Sequence, residues 1–148
     1  KFIHDVREKG ATPILVSLSP RNEWPGGKGV RRNNSDGKWL NEVVKETGVE
    51  FVDMHNISAD FLDSQFANEK EYNKYNEKSK KYAAKGKEAK AKEAKEMARE
   101  VVAECKNQAW KYFKKDHTHT SIEGARMNAQ SFAKGLKENG SELAKYLK

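Results

Sequence analysis

The sequence predicts an α/β fold that contains a parallel β-sheet. Two short apolar segments, residues 12–18 and 49–53, have the length and the β-branched content of buried strands. An amphipathic pattern over residues 37–47 lies between them and predicts a helix. A strand, a helix and a second strand in this order predict a right-handed crossover between parallel strands.

The other elements are predicted to be helical. Residues 1–10 have the pattern of the end of a helix that closes at Gly10. Residues 69–110 are rich in Lys, Glu and Ala, which predicts a helical insertion. Gly86 divides this insertion into a helical hairpin, because glycine is the weakest helix former after proline.

A C-terminal helix is predicted from a cap and an apolar face. Thr120 and Glu123 have the spacing of a capping box. The residues of the apolar face are Ile122, Ala125, Met127, Ala129, Phe132, Ala133 and Leu136.

The segment just before this helix, Asp-His-Thr-His-Thr at residues 116–120, is a candidate catalytic loop. A histidine general base needs a carboxylate on its second ring nitrogen, which fixes the tautomer and stabilises the imidazolium. Asp116 can reach His119 when three residues of loop curl between them. On spacing alone two other interpretations stay open: a loop without catalytic function, and a metal site in which His117 joins His119.

The metal interpretation needs further ligands. The nearest candidates are Asp53 and His55, which follow the second predicted strand. The single cysteine, Cys105, lies on an apolar helical stripe and does not complete a tetrahedral set. The sequence therefore favours a site without metal.

The run from Asp116 to Ser121, followed by Gly124-Ala125, resembles the last motif of the SGNH (GDSL-type) hydrolases, in particular the rhamnogalacturonan acetylesterase-like branch. The resemblance implies a three-layer α/β/α fold, flavodoxin-like, in which helices cover both faces of a parallel β-sheet. It also implies that Asp116 is the acid and His119 the base of a Ser-His-Asp triad. Residues 13–21 resemble the fourth strand of that family and the loop that leaves it, and residues 49–55 resemble its fifth strand. The resemblance covers most of the chain except about residues 69–110.

The family's nucleophile motif, G-D-S, and its other oxyanion-hole motifs are not found in these 148 residues. Residues 1–148 are therefore expected to be the C-terminal part of one hydrolase domain, with the serine in an N-terminal half. The implied activity is deacetylation of a polysaccharide such as pectin, without a cofactor, in a secreted or periplasmic enzyme. A rival hypothesis is a non-catalytic helical binding module in which the 116–120 loop is incidental.

The loop of residues 19–36 leaves the first predicted strand at its carboxyl end, where α/β proteins bind ligands. Arg21, Asn22 and Trp24 are candidate substrate-binding residues: Trp24 could stack on a sugar ring, and Arg21, Arg31 or Arg32 could pair with a uronate carboxylate. The alternative is a polar surface loop held by a buried Trp.

The charge pattern argues against nucleic acid as a partner. The formal net charge is +7, but residues 69–104 carry 11 Lys or Arg against 8 Asp or Glu, interleaved along the sequence. This pattern is typical of a solvated helical surface rather than a clustered basic patch. No apolar segment is long enough to predict a membrane span.

Overall fold

The computed structural model describes residues 1–31 and 35–147. Within these residues there are six α-helices, two β-strands and three short 3₁₀ turns. The helices are α1 (Phe2–Glu8), α2 (Ser35–Thr47), α3 (Met54–Phe66), α4 (Glu69–Ala83), α5 (Glu88–Gln108) and α6 (Ile122–Glu138); the strands are β1 (Ile14–Val16) and β2 (Glu50–Val52). The 3₁₀ turns are Pro25–Gly27, Ala109–Tyr112 and Glu142–Tyr146.

The predicted three-layer α/β/α fold is wrong. Helices make up most of the described chain, and its one sheet has two strands of three residues each. Such strands are only about 10 Å long at roughly 3.3 Å per residue. A sheet of this size cannot form the central layer of a three-layer fold, because it is too narrow and too short for helices to pack along both faces.

The two strands themselves are where the sequence placed them. β1 and β2 pair in parallel, with Ile14 opposite Glu50 and Val16 opposite Val52. Helix α2 connects them, as the amphipathic pattern over residues 37–47 predicted. The error therefore lies in the number of strands, not in the strand-helix-strand unit.

The chain divides into two compact units. The first consists of Lys1–Pro20, Arg31–Ser58 and Ala125–Lys148, and the second of Arg21–Val30 and Ala59–Gly124. In the first unit, Val52 and Leu136 are fully buried. Gly135 of α6 lies against β2, since a Cβ there would come within 2.5 Å of Val52 Cγ1.

The second unit is built on a hairpin of α4 and α5. These helices pack along their lengths, and the turn between them contains Gly86 at φ +66°. The predicted helical hairpin is therefore observed. The buried residues of α5 are Ala91, Ala94, Ala98 and Cys105. Three of them are alanines, whose small side chains allow helices to approach closely.

Candidate functional site

The Asp-His-Thr-His-Thr segment forms the tip of a short hairpin in the second unit. Its base is an antiparallel bridge between Phe113 and Thr120. Inside the bridge, the Lys114 amide donates to the His119 carbonyl at 2.7 Å; outside it, the Ser121 amide donates to the Tyr112 carbonyl at 3.1 Å. These bonds fix both ends of the loop that carries the candidate base, which we call the 114–120 loop.

His117 lies at the apex of this loop in a left-handed conformation, with φ +60°. A non-glycine residue in this region is uncommon, although histidine is among those that adopt it more often. Its carbonyl accepts a hydrogen bond from the Asn22 amide at 2.9 Å. Its ring contacts the Trp110 ring edge-on, with centroids 4.7 Å apart.

Asp116 and His119 form the contact that the sequence predicted. The Nδ1 atom of His119 lies 2.5 Å from Oδ2 of Asp116. The other carboxylate oxygen, Oδ1, accepts the backbone amides of Thr118 at 3.0 Å and of His119 at 2.9 Å. One carboxylate therefore shapes the turn and holds the imidazole at the same time.

These bonds keep Asp116 ionised. They lower the pKa of its carboxyl group far below the ordinary value of 3.8; the backbone amide of His119 is the largest cause, followed by the His119 ring and the Thr118 amide. An ionised carboxylate can only accept, so Nδ1 of a neutral His119 must carry the proton. The lone pair then lies on Nε2, which is the arrangement of a general base oriented by an acid.

The pair is open to solvent. The side chains of His119 and Asp116 are 74% and 52% exposed. Nε2 can therefore meet an external group, but the 114–120 loop does not itself enclose a water-excluding cleft.

The helix after the loop begins one residue later than predicted. Ser121 caps α6, since its Oγ accepts the Gly124 amide at 3.1 Å, so the capping box predicted from Thr120 is wrong. Thr120 is instead part of the bridge that closes the loop. Gly124 lies so close to the base of the loop that a Cβ there would be 1.9 Å from the Tyr112 carbonyl oxygen.

The predicted substrate-binding residues differ in their placement. Arg21 is exposed, whereas Asn22 and Trp24 are 1% and 3% exposed. The Trp24 ring packs edge-on against Phe66, with centroids 6.3 Å apart. A ring buried in this way presents no face to a sugar. In the structure, Trp24 therefore anchors its own loop, residues 21–30, to Phe66. Arg31 is half-buried in the first unit, and Arg32 lies outside the described residues.

A set of possible metal ligands occurs on α1, in the first unit. In the described parts of the chain this set consists of His4, Asp5 and Glu8, which are all exposed on α1. One possible ligand atom of each residue lies within 4.8 Å of those of the other two. The predicted partners of a metal interpretation, Asp53 and His55, belong to the first unit and bond locally. Asp53 accepts from Ser17 Oγ at 3.2 Å, and the His55 amide donates to the same hydroxyl at 2.8 Å.

No protein-family model, curated protein or solved structure matches this chain. The resemblance to SGNH hydrolases therefore rests on the residues of segments 13–21, 49–55 and 116–125 alone. Among the helices of residues 1–31 and 35–147, none has the length and apolar character needed to cross a membrane.

Proposed function

We propose that the 114–120 loop supplies the acid and the base of a serine acetylesterase, whose nucleophilic serine belongs to a segment outside these 148 residues. The observation that carries this proposal is the 2.5 Å contact between Asp116 and His119, made by a carboxylate that two backbone amides already hold in place. A mostly helical fold is compatible with such a triad, because the same triad geometry occurs on unrelated folds.

In the proposed reaction, Nε2 of His119 takes the proton of the serine hydroxyl while the serine oxygen attacks the acetyl carbon. Asp116 stabilises the imidazolium that results. When the tetrahedral intermediate collapses, Nε2 returns the proton to the departing sugar oxygen, which leaves an acetylated serine. Water then repeats the sequence, and acetate and the free serine are released.

An acetylated acidic polysaccharide is the proposed substrate class. The net charge of +7 and the exposed Arg21 favour an anionic polymer. Asn22 and Trp24 are buried and present no surface to such a polymer. An enzyme with such a substrate would act outside the cytoplasm, so secretion or a periplasmic location forms part of the proposal.

A non-catalytic helical binding module is the second candidate. Two observations favour it: the described chain is mostly helical, and the Asp116–His119 pair is exposed to solvent. In that case the carboxylate only fixes the turn, as Asp side chains commonly do in loops.

Turnover of the complete gene product separates the two candidates. The protein is purified from the source organism and assayed with 4-nitrophenyl acetate and with acetylated pectin. We expect His119→Ala to lower kcat at least about a thousandfold, because the general base is lost. Gln130→Ala, at an exposed position of α6, is the control and keeps the rate.

A fluorophosphonate probe should label one serine of the complete protein, and the labelling should depend on His119. The 148-residue chain alone should hydrolyse the activated ester no faster than the His119→Ala variant of the same chain. If the complete protein is neither labelled by the probe nor able to hydrolyse the esters, the binding module is favoured. Activity that is lost on chelation and restored by zinc would favour the metal interpretation.

A further inference from the structure

Asn22 is a buried side chain of the second unit whose polar atoms all have partners. Its Nδ2 lies 3.1 Å from the Lys106 carbonyl oxygen and 3.3 Å from Nδ1 of His117. Its Oδ1 accepts the indole N–H of Trp24 at 2.7 Å. The side chain therefore connects the loop of residues 21–30, the last turn of α5 and the apex of the 114–120 loop.

The chemistry of these partners fixes the orientation of the amide. An indole nitrogen is a donor only, so the Asn22 atom that faces Trp24 must be the oxygen. The NH₂ group then faces Lys106 and His117, and its two hydrogens match two acceptors, a carbonyl oxygen and a ring nitrogen. Nδ1 of His117 must therefore be unprotonated, which puts the proton of the neutral ring on Nε2.

Several contacts hold His117 in its left-handed conformation. Asn22 bonds His117 twice, through its backbone amide to the carbonyl and through its side chain to the ring. A left-handed conformation at a non-glycine residue persists when its surroundings determine it more than once. The ring contact with Trp110 adds a third restraint.

We propose that Asn22 is a positioning residue for the Asp116–His119 pair, acting through His117. It holds the apex in the conformation from which Asp116 accepts the Thr118 and His119 amides. An effect of Asn22 on catalysis rests on the proposed function, whereas its effect on the conformation of the 114–120 loop does not. The two loop histidines then have opposite tautomers, with the proton on Nε2 of His117 and on Nδ1 of His119.

The test uses the ¹⁵N-labelled 148-residue chain at about pH 8, above the ordinary titration range of histidine. Long-range ¹H–¹⁵N spectra report which ring nitrogen carries the proton, and amide exchange reports order in the loop. In the wild type we expect the two opposite tautomers. In Asn22→Ala, the Thr118 and His119 amides should exchange at least about tenfold faster, while the amides of α4 and α5 keep their rates.

Two further variants keep the result interpretable. Trp24→Phe keeps a smaller aromatic ring in place of the indole and removes the N–H that orients the Asn22 amide. It should therefore loosen the loop in the same direction even if Asn22→Ala does not fold. Asn107→Ala, at an exposed asparagine next to Lys106, is the matched control and should leave the loop unchanged.

A proton on Nδ1 of wild-type His117 would overturn the proposal. So would loop exchange that is unchanged in a folded Asn22 or Trp24 variant, or protection that falls equally in the loop and in α4 and α5, which would indicate a general structural role. In the complete gene product, Asn22→Ala should lower kcat with KM within about twofold. If His119→Ala leaves turnover unchanged while the exchange results hold, the proposed function fails and the positioning role of Asn22 stands.

Discussion

Replacing Gly124 with alanine tests the packing of the first turn of α6 against Tyr112. Gly124 is in the first turn of α6, and its backbone is not in the left-handed region. Helix propensity alone therefore predicts that alanine stabilises the protein by about 0.5–1 kcal/mol. The close contact with the Tyr112 carbonyl predicts instead that alanine destabilises the protein.

The size of the loss follows from the distance. A Cβ at residue 124 would lie 1.9 Å from the Tyr112 carbonyl oxygen, and real Cβ contacts are not shorter than 3.0 Å, so backbone must move by at least 1.1 Å. Such overpacking costs about 1–3 kcal/mol. The displaced carbonyl also loses the Ser121 amide, a bond that contributes about 1 kcal/mol. After the gain in helix propensity is subtracted, the net loss is about 1–3 kcal/mol.

Chemical and thermal denaturation measure this change. We expect Tm to fall by about 2–12 °C, at roughly 2–4 °C per kcal/mol for a chain of this size. Ala129→Gly, at an exposed position of the same helix, calibrates the glycine–alanine difference and should cost about 1 kcal/mol. A Gly124→Ala variant that is more stable than the wild type would show that Tyr112 does not contact the first turn of α6.

A pH titration tests the 114–120 loop, and a substitution of Gly86 tests the α4–α5 hairpin. Because the pKa of Asp116 is lowered in the folded chain, its contribution to stability is complete above the ordinary value of 3.8 and is lost as the pH falls below it. In a titration followed by the ¹³C shift of its carboxyl carbon, the midpoint should lie well below 3.8, and a midpoint near 3.8 would contradict the bonds described. Gly86→Ala should destabilise the α4–α5 hairpin by about 1–2 kcal/mol through its positive φ alone, since a Cβ there meets no other atom within 4 Å. An unchanged denaturation midpoint in Gly86→Ala would contradict the positive φ of this turn.

The local elements were predictable because short-range physics determines them. The two strands, the helix between them and the division at Gly86 follow from apolar periodicity and from the low helix propensity of glycine. The Asp116–His119 contact was predictable for the same reason, since three residues of loop bring the two side chains within reach. The catalytic role of that contact stays a prediction.

The three-layer fold was not supported by residues of this chain. It required additional strands, and the sequence contains only two strand-like apolar runs, so the error came from the resemblance and not from the periodicity. The cap of α6 was misplaced by one residue because Thr120 and Ser121 are both good capping residues, and only the bridge to Phe113 decides between them.

The burial of Asn22 and Trp24 depends on contacts that are distant in sequence. Asn22 meets Lys106 and His117, which are 84 and 95 residues further along the chain. Neither contact leaves a periodic pattern or a local motif in a polar, glycine-rich loop. The sequence therefore showed two side chains suited to recognition, whereas in the structure both are buried and Asn22 contacts His117 of the 114–120 loop.

The proton position on the His119 ring tests the central claim most directly. If Asp116 holds His119 as a proton acceptor, long-range ¹H–¹⁵N spectra of the neutral ring will show the proton on Nδ1 and a free lone pair on Nε2. In Asp116→Asn, the amide oxygen can still accept the two backbone amides, its NH₂ group then faces the ring, and the proton should move to Nε2. A wild-type His119 that carries its proton on Nε2, or a tautomer that is unchanged in Asp116→Asn, would contradict the account.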